Sequence, residues 1–399
     1  IGAPREERLT PSMESLQNPI DFSIPVARVA DLLLSPGEEF QFNGSIITYP
    51  DIRLIYWAGG NPFHHHQDLN RLVAGWQQVE TVIVHESWWT PTARRADIVL
   101  PVTTTLERND IGGSTRDRYI FAMQKAIEPV GESRDDFEIF KELSKSLHCE
   151  EIFAKGRNEM DWLQWIYQEL HGKAADQGTE MPEFFEFWNK GYWLSPEIKE
   201  NDTLLQLFRK DPNRNPLQTP SKKIELYSEV IANFCYDDCP PHPAWLPPLE
   251  WLGSEKTKIY PFHLITNQPK DRFHSQMDSG PLSQAQKING REPVWINAAD
   301  AKNLGVSSGD TVRLFNARGA CLAGVLVTED VRSKVVIMAT GAWFDPLLNV
   351  NSNVLDKHGN PNVLTIDKGT SKLAQGCSAL SALVQVEKYA EELPPVTAF

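Results

Sequence analysis

No stretch of this chain approaches the roughly 18 consecutive apolar residues of a bilayer span, so no membrane-spanning helix is expected. Cysteine is scarce: five occur, at Cys149, Cys235, Cys239, Cys321 and Cys377. The one close pair, Cys235 and Cys239, is not a CxxC, and no second pair follows it. That excludes the usual spacings of zinc and iron–sulfur sites. An odd count fits mostly reduced thiols and a reducing compartment. Positive charge is in deficit, with 39 Lys and Arg against 53 Asp and Glu for a net charge of −14. Such a surface disfavours nucleic acid or anionic lipid as a general partner, and an anionic ligand would need a local cationic pocket. The GxGxxG dinucleotide fingerprint, internal repeats and low-complexity tracts are also missing. What is present is ordinary for a globular chain, at 41% hydrophobic and 23% charged, and 399 residues suit two domains or more.

Residues 1–50 read as irregular, with one apolar helix candidate at Val26–Leu34, and are expected to be the tail of a preceding domain. The run Ile52–Ala58 is apolar throughout, as a buried parallel strand should be. It ends in Gly59-Gly60-Asn61-Pro62. A helical pattern follows, with Leu69, Leu72, Val73, Trp76 and Val79 on one face. Strands at Thr81–His85 and Asp97–Val102 come next. Strand, helix and strand with short links make a βαβ unit, hence an α/β domain with a parallel sheet. Asp136 is positioned as the N-cap of a helix turning Phe137, Phe140, Leu143 and Leu147 inward. Residues 150–220 are rich in Trp and Phe and read as mostly helical. The proline cluster of residues 235–255 marks a boundary. From Ile259 short β-type runs follow one another, with one helix at Ala298–Leu304, which argues for a small barrel or sandwich. The expected domains are thus 1–50, 51–257 and 258–399.

Five stretches could carry chemistry. Gly59–Asp68 leaves the end of a parallel strand, where open sheets bind ligands. Its glycines allow close backbone approach to a phosphate or sugar, although a plain β–α turn also accounts for them. The three histidines there are adjacent and so point in different directions, without the carboxylate spacing of a metal site. His85-Glu86 ends the next strand, where a carboxylate can bond a ribose hydroxyl or a purine N–H edge; a helix cap is the alternative. Glu107–Asp110 offers an arginine able to pair with phosphate, or a surface salt-bridge cluster. Thr266–Gln276 crowds donor-capable side chains into one loop and is a candidate for the cationic pocket that the overall charge requires; a plain hydrophilic loop is the alternative. Asn362–Gly376 is polar, glycine-bearing and carries two lysines.

Together these stretches resemble the molybdopterin oxidoreductases of the dimethyl sulfoxide, trimethylamine N-oxide and biotin sulfoxide reductase group. The resemblance is carried by YWAGGNPFHHHQDLNRL (Tyr56–Leu72), WTPTARRADIVLP (Trp89–Pro101), ERNDI (Glu107–Ile111), SRDDFEIF (Ser133–Phe140), DRFHSQMD (Asp271–Asp278), GNPNVLTID (Gly359–Asp367) and GTSKLAQG (Gly369–Gly376). Seven strings occur in the family's order. VHESWW with LITNQPKDRFHSQMD leans toward the biotin sulfoxide reductase-like branch.

The resemblance implies a C-terminal half: an α/β parallel-sheet dinucleotide-binding domain followed by a C-terminal double-psi-type β-barrel. It implies molybdenum held by a pair of molybdopterin guanine dinucleotides, with no iron–sulfur cluster in this portion. Asn61 and His65 would lie along the pterin–pyrophosphate of one cofactor, with His85 and Glu86 at its guanosine end. Arg108 would contact phosphate or guanine, and Asp136 the guanine N1–H and amino group. From the barrel, Thr266, Asn267, Gln268, Pro269, Arg272, His274, Ser275 and Gln276 would meet mainly the second cofactor. Asn362, Gln375 and Gly376 would complete that pocket. Gln268 departs from the pattern, since close relatives often carry His there. The metal's protein ligand and the residues handling the oxide lie in the preceding half of such enzymes, so no catalytic residue and no metal ligand is nominated here. The implied reaction is oxygen-atom transfer from a small S-oxide or N-oxide, with two electrons from an unidentified donor, two protons and loss of water. The missing N-terminal half would be a partner of this part. The branch and the thiols favour the cytoplasm over the periplasm. A non-catalytic module that holds a guanine nucleotide or docks on a partner is the alternative.

Overall fold

The computed structural model describes residues 9–14, 18–114, 118–196, 205–347, 354–377 and 381–399. Its contacts divide into two compact units. The larger takes Ile20–Val99 and Tyr227–Phe399, and the smaller takes Ile1–Pro19 and Leu100–Leu226.

The larger unit opens with a 3-10 turn at Val26–Arg28 that leads into helix α1 (Val29–Leu34). An antiparallel hairpin follows, β1 (Glu39–Phe42) with β2 (Ser45–Thr48). Its turn is Asn43-Gly44, both at positive φ, the dipeptide that a tight hairpin favours. This corrects the reading of the region as irregular. Strands β3 (Leu54–Ala58) and β4 (Thr81–Glu86) pair in parallel, from Leu54 opposite Thr81 to Ala58 opposite His85. Strand β5 (Ile98–Pro101) completes the order β3-β4-β5. Gly59 and Gly60 lie at φ 86° and 76°, which swings the chain sharply off β3 into conformations that a side chain resists. The crossover holds two helices, the four-residue α2 (Pro62–His65) and α3 (Leu69–Trp76). Asp68 caps α3 by accepting from the Arg71 N–H, and Leu69, Leu72 and Trp76 are buried as their period requires.

The smaller unit contains an antiparallel sheet of β6 (Asp110–Gly113), β7 (Tyr119–Met123) and β8 (Tyr192–Leu194). Beside it are α4 (Asp136–Ser146), α5 (Glu150–Phe153), α6 (Glu159–Asp176) and α7 (Phe184–Lys190). A reciprocal capping box between Asn158 and Asp161 starts α6. Ile120, Tyr167, Leu170 and Phe187 centre this unit's core. Two expectations are corrected. The N-cap of α4 is Asp135, and Asp136 is its first helical residue. Phe137 and Phe140 pack on Phe153 of the short α5, which ends too soon to cover the rest of the face, so Leu143 and Leu147 stay 37% and 65% exposed. Strand β8 also interrupts the expected helical stretch of 150–220, of which residues 197–204 lie outside the described residues.

The chain then returns to the larger unit and forms β9 (Phe262–Asn267), β10 (Pro293–Asn297), β11 (Thr311–Phe315), β12 (Ala320–Thr328), β13 (Val335–Ala339), β14 (Pro346–Leu347), β15 (Leu355–Asp356) and β16 (Ser381–Lys388). Six of these close into a barrel in the order β10-β13-β9-β16-β11-β12, and a parallel β10–β12 pairing completes the ring. Closure removes the unpaired edges that an open sheet leaves. The strand β16 was absent from the sequence reading, and the helix at Ala298–Leu304 matches it. Phe63, Leu69, Leu72 and Trp76 join Leu264, Val294, Val336 and Val384 in one apolar cluster, so sheet and barrel share a core.

One buried carboxylate fastens the start of β16. Glu250 accepts two bonds from the Arg318 guanidinium at 2.8 Å each, one from Lys256 at 3.1 Å and one from the Leu383 N–H at 2.9 Å. Burial works to raise its pKa, but these donors prevail and hold it down at about 2. The stability it contributes is present above the unfolded carboxylate range, about 4.3, and is lost as pH falls toward 2. Glu250→Gln should cost about 3 kcal/mol at neutral pH by leaving Arg318 unpaired. It should also flatten the acid limb of stability, as chemical denaturation followed across pH 2–7 will read.

Candidate functional site

The site forms where β3 ends. Asn61 is the N-cap position of α2, and its side-chain oxygen accepts from the Thr92 hydroxyl in the β4–β5 loop. A helix of four residues satisfies few of its own carbonyls: Pro62 accepts from the His66 N–H at 2.9 Å, and two others depend on side chains from far along the chain. The Phe63 and His64 carbonyls accept from the Asn360 and Asn362 side-chain amides at 3.3 and 3.2 Å. The turn is thereby bonded to the loop after β15. That loop is itself held by Asp356, whose carboxylate accepts from the N–H groups of Asp345, His358, Gly359 and Asn360. Burial pushes Asp356 up to about 6 despite those bonds.

The three histidines occupy different settings. His64 is buried and stacks on Trp343 with centroids 5.2 Å apart, and desolvation pushes its pKa down to about 3. His65 is exposed, with its pKa lowered by desolvation and by the charge of His274 on the barrel loop. His66 is buried, and its pKa falls to about 4 for want of solvation. Both nitrogens of His64, His66 Nε2 and Asn61 Nδ2 are buried without a hydrogen-bond partner among the described residues. His85, at the end of β4, is bonded through Nε2 to the Tyr56 hydroxyl at 2.8 Å. Glu86 accepts from the Ser87 N–H at 2.9 Å and the Thr90 hydroxyl at 3.0 Å, so its carboxylate shapes its own loop, and desolvation raises its pKa.

On the barrel, Thr266 is buried at the end of β9, while Asn267, Gln268, His274 and Gln276 are exposed and Pro269 and Ser275 half-buried. Arg272 instead turns inward. Its guanidinium bonds the His274 and Thr340 carbonyls at 3.0 and 2.8 Å and pairs with Asp278 and Glu292, which Lys287 also bridges. The loop rests on Gly341, where a Cβ would lie 2.2 Å from the His274 carbonyl oxygen. Asn362 spends its side chain on His64 and on the Thr365 hydroxyl. The structure bonds Gln375 to the Gln41 carbonyl of the hairpin at 2.8 Å, and Gly376 to Thr370. Next to α3, Arg28, Asp31, Arg71 and Asp367 form a closed ring of four ion pairs of 2.5–2.9 Å. In the smaller unit, Arg108 and Asp136 line one cavity of about 310 Å³. Arg108 there donates to the Thr103 carbonyl at 2.8 Å. Among the described residues, no three His, Cys, Asp or Glu side chains are grouped as a metal site, and no helix is long and apolar enough to cross a membrane.

Two family models match the chain: "Molybdopterin oxidoreductase" over residues 26–146 and "Molydopterin dinucleotide binding domain" over residues 262–383. The chain belongs to the molybdopterin oxidoreductases. It is 48% identical over 391 residues to a biotin sulfoxide reductase of Cereibacter sphaeroides, covering 98% of this chain and 52% of that protein. It is 47% identical to a dimethyl sulfoxide/trimethylamine N-oxide reductase of the same organism, covering 94% and 46%. A trimethylamine-N-oxide reductase of Haemophilus influenzae is 45% identical, with coverage of 94% and 46%. The chain thus spans about half the length of the curated relatives it matches. Among solved structures, acetylene hydratase from Pelobacter acetylenicus shares the fold, with a TM-score of 0.63 at 20% identity over 86% of this chain and 45% of that one.

The residues of this molybdopterin oxidoreductase fit a polar, elongated cofactor. Buried polar atoms without protein partners line the α2 turn, and Gly341 clears the barrel loop for close packing. Sequence reasoning missed the residues that hold these loops: Thr92, Trp343, Asp356, Asn360 and the Arg28–Asp31–Arg71–Asp367 ring. Thr92, Arg71, Asn360 and Asp367 had a signal, since they stand in the WTPTARRADIVLP, YWAGGNPFHHHQDLNRL and GNPNVLTID strings. Arg71→Ala should cost about 1–2 kcal/mol, since Asp31 and Asp367 each lose one arginine and keep Arg28. The Arg71→Ala/Asp367→Ala double variant should lose over 1 kcal/mol less than the sum of the singles, a coupling readable in a denaturation cycle.

Proposed function

We propose that this chain is the cofactor-gripping C-terminal part of a molybdenum enzyme that reduces S-oxides or N-oxides, such as biotin sulfoxide, dimethyl sulfoxide or trimethylamine N-oxide. The cofactor is a molybdenum-bound pair of molybdopterin guanine dinucleotides. The α/β part binds one, and the terminal barrel, of double-psi type, binds mainly the other. A preceding half of the protein supplies the metal's protein ligand, and an electron donor supplies two electrons per turnover. The observation that carries the reading is the set of buried, unpartnered polar atoms on the turn after β3, namely Asn61 Nδ2, the His64 ring and His66 Nε2. Leaving such groups unpaired costs about 1–3 kcal/mol each. A polar ligand laid along the turn relieves that cost.

When bound, the cofactor would supply the two-electron oxygen-atom exchange; the chain's part is to bind, orient and exclude water. Asn61 and His65 follow the pterin–pyrophosphate. His85 and the Glu86 loop meet the guanosine. The exposed polar atoms of Asn267, Gln268, His274 and Gln276 face the second cofactor, with Thr266, Pro269 and Ser275 beside them. Arg272 and Asn362 act through the loops they hold, and Gln375 and Gly376 border the pocket. Histidines kept neutral by burial add no charge at the turn, so the polyanionic cofactor relies on N–H donors and arginines.

The intact protein purified from cells that make the cofactor should contain molybdenum and release two GMP per metal on acid hydrolysis. Nucleotide without metal would point to a non-catalytic nucleotide-holding module instead, and neither metal nor nucleotide would overturn the reading. Asp136→Ala should lower retained GMP and molybdenum about tenfold or more, as loss of a charge-assisted pair of hydrogen bonds predicts. Unchanged molybdenum content would refute the assigned guanine contact.

A further inference from the structure

Beyond the residues matched by family motif, the smaller unit carries a cleft with a polar and an aromatic end. Two cavities, of about 310 and 200 Å³, share Met13, Phe137 and Trp162 in their walls. One end is polar, with Arg108, Asn109, Asp110, Asp135, Asp136 and Glu159. The other is aromatic, where Phe137 stacks on Phe153 at 5.9 Å. Trp162 sits near the start of the 18-residue helix α6 and is only 7% exposed. Its indole Nε1–H is buried without an acceptor among the described residues. The Arg157 guanidinium lies 4.5 Å from its ring centroid, which fixes the ring without using its N–H.

The charge of the polar end narrows the ligand. Four carboxylates stand against one arginine, which repels a phosphate and suits a face rich in N–H donors. All four also have partners in the protein, Asp110 accepting from the Ile111 N–H at 2.8 Å. Glu159 accepts from the Asn109 backbone and side-chain N–H groups, both at 3.0 Å, and Asp135 accepts from the Thr103 hydroxyl at 2.5 Å. Bracing by Glu159 fixes the loop that presents Arg108. A ligand that completes the cleft needs adjacent N–H donors for a carboxylate, an acceptor for an indole N–H, and a flat apolar face. Guanine has all three, with N1–H and the amino group beside O6. Cytosine opposes the carboxylate with ring lone pairs, and adenine has a donor where O6 would be.

We infer that Trp162 is a base-selecting residue, whose indole N–H donates to the guanine O6 while Trp162 and Phe137 pack on the ring. The inference rests on the reading that the protein holds a guanine dinucleotide, and it adds a residue that the family strings do not mark. The test uses cofactor-free full-length protein carrying ¹⁵N-labelled tryptophan, titrated with GMP, IMP and CMP. The Trp162 indole resonance, assigned by its absence from Trp162→Phe, should move with GMP and IMP, which share O6, and stay still with CMP. Trp162→Phe keeps the aromatic wall and should bind GMP about tenfold more weakly, with CMP affinity unchanged. If GMP binds while the Trp162 resonance stays still and Trp162→Phe binds as tightly as the parent, the inference falls and the guanine reading stands. If GMP does not bind and the purified holoprotein releases none, both fall. Should Trp162→Phe fail to fold, Trp165→Phe and Trp188→Phe assign the neighbouring resonances and the unsubstituted protein still decides the matter.

Discussion

The larger unit depends on how the carbonyls of one four-residue helix are satisfied. Helix α2 satisfies the Pro62 carbonyl through the His66 N–H, but the carbonyls of Phe63 and His64 reach outward and are met by Asn360 and Asn362. Those two amides come from the loop after β15, and they make the end of a parallel sheet and the rim of a barrel a single polar object. The shared core beneath, from Phe63 to Val336, ensures that the two cannot shift independently without opening apolar surface to water. The Asp356 carboxylate stands behind the arrangement, because it gathers the backbone N–H groups that aim both asparagines.

Around this junction the protein buries charge in closed sets. Arg272, Lys287, Asp278 and Glu292 form one, and Arg28, Asp31, Arg71 and Asp367 another. Each cation has an anion on either side. Such sets tolerate burial because no member is left with an uncompensated charge, and they lock geometry more than they add net stability. Histidines follow the opposite course: desolvation lowers the pKa of His64, His66 and His358, and outweighs Asp278, which lies 3.8 Å from His358. The surface turned toward a ligand is therefore built from dipoles resting on a charged foundation.

Most of the frame was legible in the residues. The apolar run before Gly59-Gly60, the period of Leu69, Leu72 and Trp76, and the crowded β-type runs after Ile259 report burial patterns that any packed fold must respect. What escaped were features set by partners far along the chain. Strand β16 was not read from the sequence, and nothing local says that it lies between β9 and β11. Arg272 reads as a donor for a ligand, yet acids at Asp278 and Glu292 claim it. Leu143 and Leu147 carry a helical apolar stripe, but no neighbour of sufficient length covers them. Glu86, expected to meet a nucleoside, also accepts from Ser87 and Thr90 of its own loop, bonds that no local pattern announces. The family strings mark loops by sequence, whereas residues that hold those loops, such as Asp356 and Trp343, stand in plain surroundings.

The order of strands in the barrel has a consequence for biosynthesis. Residues 100–226 leave the ribosome before β9 exists, whereas β9 and β11 wait for residues 381–388 to fill the gap between them. Until then Leu69, Leu72 and Trp76 have no barrel to cover them, and the nascent larger unit exposes a greasy face that invites chaperones.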